Sequence, residues 1–104
     1  MNIPTLSTQA PVLTCLVTLA TVHPGLPAAY ITVSQYASRE LSVQLNNPAA
    51  VEAWREALGV APDAVVADRI GDRPSLEFTA TAYGIKFHVY AAYVPATAAA
   101  GGAA

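Results

Sequence analysis

Residues 1–38 contain no Asp, Glu, Lys or Arg, and the first charged side chain is Arg39. Charge stays scarce beyond that point: 12% of the 104 residues carry it, about half of the roughly 25% usual in a globular domain. Five Lys and Arg stand against seven Asp and Glu, for a net charge of −2. The chain therefore lacks the broad positive field that draws proteins to DNA, RNA or anionic lipid. Cys15 is the single cysteine, which excludes an internal disulfide and a cysteine cluster for zinc, and favours a reducing, cytoplasmic setting.

Motifs that carry chemistry are missing as well. There is no phosphate loop, dinucleotide fingerprint or paired-cysteine motif. The two histidines, His23 in a turn and His88 in a strand pattern, have no neighbouring carboxylate pattern and do not make a metal site. Glu52 and Glu56 lie one helical turn apart, but read as solvated charge on a surface helix. The sequence thus predicts no catalytic residues, no cofactor and no metal.

The apolar stretch from Val12 to Ala20 is too short to cross a membrane, which takes about 20 apolar residues. Thr14 and Thr18 interrupt it, Thr21 follows, and His23-Pro24-Gly25 stops it. No lysine or arginine precedes it, so it also lacks the basic n-region of a secretory signal. Neither export nor membrane contact is expected. Cys15, inside this stretch, is expected to behave as a small buried hydrophobe.

What the chain does hold is apolar material for one core, 54% of its residues, at a length that suits one domain. Periodicity predicts a first helix from about Ser7 to Val22, with Ser7 as its cap and Pro24-Gly25 as its stop. On a helical wheel Ser7, Thr14, Thr18 and Thr21 form one stripe, while Val12, Leu13, Leu16, Leu19 and Ala20 occupy the opposite, core-facing side. Pro11, Cys15 and Val22 fall at the margin. Two strands follow, with Ile31 and Val33, then Leu41, Val43 and Leu45, alternating with polar residues. Asn47 and Pro48 open a second helix that places Val51, Trp54 and Leu58 on one face, and Gly59 closes it. Residues 64–70 fit a short strand or a loop, and Gly71–Pro74 a turn. Leu76–Ala82 and Ile85–Val89 form a hairpin around Tyr83-Gly84.

The expected fold is α+β in the order α-β-β-α-β-β: an antiparallel sheet of four or five strands with both helices on one face. It spans residues 1–95 as one domain, followed by a low-complexity Ala/Gly-rich tail at 96–104 with nothing to bury.

Two surfaces qualify as partner contacts. The first is the uncharged helix, which is either largely covered by its own domain or turns its outward stripe of Thr14, Thr18 and Thr21 to a protein partner or a homodimer, where an ordinary surface helix would show charge. The second is the outward sheet face, expected to carry Tyr30, Thr32, Gln44, Glu77, Thr79, Tyr83, Lys86, His88 and Tyr90. Exposed tyrosines on a sheet suit base stacking, but a nucleic-acid platform also needs cations along the backbone, and Lys86 is nearly alone there.

His23 to Ser34, Leu41 to Leu45 and Pro48 to Gly59 together resemble small proteins of Streptomyces-type actinobacteria, often encoded near mobile elements. That resemblance implies no activity and no site. The functional expectation is a small, soluble, non-enzymatic interaction module, as an accessory or regulatory protein of such an element. A nucleic-acid-binding accessory protein is the alternative, and a small enzyme the third.

Overall fold

A computed structural model describes residues 3–94. After a 3-10 turn at Leu6–Gln9, the chain forms α1 (Ala10–Val22), β1 (Tyr30–Val33), β2 (Glu40–Leu45) and α2 (Pro48–Ala57). It continues through a second 3-10 turn (Pro62–Ala64) into β3 (Val66–Ile70), β4 (Arg73–Ala82) and β5 (Ile85–Ala92). The fold is α+β, as expected, and residues 66–70 are a strand. The tail at 96–104 lies outside the described residues.

The five strands make one sheet in the order β1-β2-β5-β4-β3. The expected all-antiparallel sheet needs one correction: β2 and β5 run parallel, with Leu41 opposite Phe87 and Val43 opposite Val89. The last strand of the chain is thus inserted at the centre, between β2 and β4. Its inward residues Ile85, Phe87, Val89 and Ala91 are fully buried, as suits a central strand under two helices.

α2 forms as its sequence dictates. The Asn47 side chain accepts the Ala50 N–H at 2.8 Å, and Pro48 starts the first turn. At the other end Gly59 adopts φ +70°, while Val60 N–H reaches Arg55 O and Gly59 N–H reaches Glu56 O. This is a Schellman closure, which needs a residue tolerant of positive φ. Val51 and Trp54 are buried in the core and Leu58 packs against it.

α1 starts later than expected. Ser7 lies inside the preceding 3-10 turn, where Thr5 N–H donates to the Thr8 hydroxyl, and the helix proper begins at Ala10. Its orientation also differs. Val12, Cys15 and Leu19 are buried against the sheet and Leu16 is partly covered, whereas Leu13 and Ala20, expected in the core, are exposed. The helix is rotated so that Cys15, not Leu13, fills the space nearest β4 and β5. The Cys15 thiol lies about 4.0 Å from the Ala82 carbonyl oxygen.

The turn between β4 and β5 has positive φ at both central residues, Tyr83 (+55°) and Gly84 (+73°), as a type I′ hairpin turn requires. The turn between β3 and β4 is tighter than the expected Gly71–Pro74. Only Gly71 and Asp72 are outside the strands, and Pro74 is already in β4 opposite Arg69. Pro74 is tolerated there because its missing N–H faces past the end of β5; its carbonyl accepts Tyr93 N–H on that side.

Candidate functional site

The outward sheet face is ordered in rows. Thr32, Ser42, His88 and Thr79 lie side by side across β1, β2, β5 and β4. Longer side chains flank this row: Tyr30, Gln44, Tyr90 and Glu77 on one side, Glu40 and Lys86 on the other. Short side chains between long ones leave a shallow hollow of about 440 Å³, lined by Thr32, Ser34, Glu40, Ser42, Thr79, Lys86 and His88. His88 Nε2 lies 2.9 Å from a Glu77 carboxylate oxygen, and the imidazole stacks on the Tyr90 ring with centroids 5.1 Å apart. Against a carboxylate, which only accepts, Nε2 is the donor.

Of the residues expected on this face, Tyr30, Thr32, Gln44, Glu77, Thr79, Lys86, His88 and Tyr90 are there. Tyr83 is not. The positive-φ turn moves it to the helix side, where it lines a hollow of about 560 Å³ with Ser7, Ala10, Pro11, Thr14, Cys15 and Thr18. The sheet face is electrostatically mixed: Lys86 has Glu40 opposite it in register, and Glu77 sits beside His88. Elsewhere Arg55 is held in a bidentate pair with Glu52, and Arg69 donates to the Asp72 carbonyl. The Arg55 hydrogen bond keeps Glu52 below the usual carboxylate range, and the same pair raises Arg55.

The second surface is the outward side of α1. Val17 stands opposite the buried Val12, Cys15 and Leu19, and is 67% exposed. Leu13 beside it is 39% exposed, and Leu6 in the preceding turn 72%. Ala10 and Ala20 continue the line, so that Leu6, Ala10, Leu13, Val17 and Ala20 recur at alternating steps of four and three. This is the spacing of residues along a helix-packing seam.

Thr14 and Thr21 lie along one edge of the seam and are exposed, while Thr18 is half-buried. The threonines are less polar than their residue type suggests. The Thr18 hydroxyl donates to Thr14 O at 3.0 Å and the Thr21 hydroxyl to Val17 O at 2.8 Å. Such back-bonding satisfies the Thr18 and Thr21 hydroxyls within the helix and leaves their methyl groups outward, while the Thr14 hydroxyl faces solvent.

Leu13, Val17 and Ala20 are the residues that sequence reasoning missed. A signal for them exists. α1 is apolar on two opposite arcs, a pattern that signals burial all round, yet the domain covers only one of them. Cys15 is buried, and that burial pushes its thiol above the ordinary range, away from nucleophilic chemistry. No three His, Cys, Asp or Glu side chains cluster at metal-binding distance among the described residues. Likewise no helix among them is long and apolar enough to cross a membrane. No family model matches the chain, and no curated protein or solved structure shows significant similarity to it.

Proposed function

We propose that the protein is a small non-enzymatic interaction module whose working surface is the outward side of α1. One observation carries this reading: a helix without a charged residue presents Leu13 and Val17 to solvent on a domain that has already filled its core with the opposite side. Exposed apolar surface of this kind marks protein contact sites. An accessory or regulatory role beside a mobile element fits such a module and extends the likeness noted in the sequence.

The alternative, a nucleic-acid platform on the sheet face, draws support from Tyr30, His88 and Tyr90 sharing that face. Glu40 and Glu77 beside Lys86 weigh against it, since strong phosphate binding needs several clustered cations.

The test is a photo-crosslinking side chain placed at Val17, with the same group at Gln44 on the sheet face as its counterpart. The reading expects covalent protein adducts in host cells from position 17 and few from position 44. Adducts from position 44 alone, or from neither, would contradict it.

A further inference from the structure

We infer that the outward seam of α1 is occupied by α1 of a second copy of this chain, related by a two-fold axis near the middle of the helix. The inference rests on the interaction reading above and names the partner.

Charge is the first argument. No Asp, Glu, Lys or Arg stands on α1 or its flanking turns, so a charged partner face laid on the seam would lose its water with little compensation. A helix seated on a lipid surface carries Lys or Arg along its polar face, and α1 has neither. The face that fits is itself uncharged and apolar, and the chain's own α1 meets that condition.

Self-complementarity is the second. A two-fold contact requires residue i to meet j while j meets i. With the helices antiparallel and the axis on the outward side of α1 at the level of residue 15, Leu13 of each copy meets Val17 of the other, and Ala10 meets Ala20. Large side chains then fill the centre, and the small ones at both ends let the two backbones approach.

Desolvation is the third. The Thr21 hydroxyl at the seam's edge already donates to Val17 O, so covering it strands no donor, and the Thr14 hydroxyl at the rim keeps its water.

A helix pair of this length sits at the small end of specific interfaces, which places association in a range best read from about 10 to about 300 μM protein. Sedimentation equilibrium of the full chain is expected to show reversible dimerisation there. Val17→Glu should weaken it at least about 100-fold, because an unpaired charge would be buried in the contact. Its circular dichroism and thermal midpoint should stay near wild type, and Gln44→Glu on the sheet face should leave the dimer intact.

A second measurement is independent of how Val17→Glu folds. Chains carrying Leu13→Cys mixed with chains carrying Val17→Cys should oxidise to the mixed disulfide faster than either chain joins to itself. A monomer throughout the range overturns the second-copy inference; adducts to other proteins from position 17 would then still sustain the interaction reading. A dimer that persists in Val17→Glu, or that Gln44→Glu dissolves, overturns the placement on α1.

Discussion

The indole N–H of Trp54 donates to the carbonyl oxygen of Pro27 at 2.9 Å, tying the middle of α2 to the connector that leaves α1. Trp54 is 4% exposed and the bond, half-buried, lies at the edge of the core, so the two helices are anchored through it as well as through the sheet. Trp54→Ala removes both the packing and the bond and should cost about 3–5 kcal/mol, enough to unfold a domain of ordinary stability. Trp54→Phe keeps most of the packing and should cost markedly less. Urea unfolding midpoints check the order. Equal midpoints for wild type and Trp54→Ala would contradict the packing described.

Tyr83 occupies the left-handed region at φ +55°, a conformation that costs a non-glycine residue about 1–2 kcal/mol. Its side chain is exposed, so little packing is lost on replacement. Tyr83→Asn, with Gly84 after it, forms the dipeptide that type I′ turns favour. The thermal midpoint should rise by about 4–8 °C per kcal/mol gained. A fall would show that the ring packs on α1 more tightly than its exposure implies.

Cys15 should be inert to a water-soluble disulfide reagent at neutral pH, because it is buried and its thiol is shifted upward by that burial. In denaturant it should react at the rate of an ordinary free thiol. Native labelling as fast as denatured labelling would mean that α1 lifts readily from the sheet.

Glu52 gives a pH dependence of defined sign. Its carboxyl is held below the usual range by the hydrogen bond from Arg55. The folded state thus binds that proton less readily than the unfolded chain. The pair's contribution is therefore full above the ordinary glutamate value of about 4.3 and is lost as pH falls through the lower folded value. Glu52→Gln should flatten this part of the acid limb of thermal stability. An unchanged acid limb would show that the pair is uncoupled from folding.

Legibility of the fold followed local chemistry. α2 could be read because Asn47, Pro48 and Gly59 specify its ends and Val51, Trp54 and Leu58 its buried side. β4 and β5 could be read because Phe78 and Phe87 sit in clean alternation. β3 stayed open between strand and loop because Val66–Ile70 is exposed along its whole length and is held by backbone pairing to β4, which leaves no hydrophobic pattern. The parallel pairing of β2 with β5 depends on how the chain returns after α2, a long-range matter that periodicity does not encode.

The candidate site was half legible. The absence of charge on α1 was plain in the sequence, and its outward side was assigned to Thr14, Thr18 and Thr21. Threonine was read there as a polar marker. Its hydroxyl can instead bond the carbonyl four residues back, which freed the apolar arc of Leu13 and Val17 to face outward. Tyr83 was placed on the sheet face because tyrosine favours strands; the two-residue turn puts it on the helix side.

A concentration series of amide NMR spectra reads, residue by residue, which side of the domain senses self-association. Across about 10 to about 300 μM, the range set by so small an interface, shifts and broadening should grow at Ala10, Leu13, Thr14, Val17, Ala20 and Thr21. They should leave Thr32, Ser42, Thr79 and His88 on the sheet face unchanged. Spectra that do not vary with concentration, or that vary along the sheet face and not along α1, would contradict the claim.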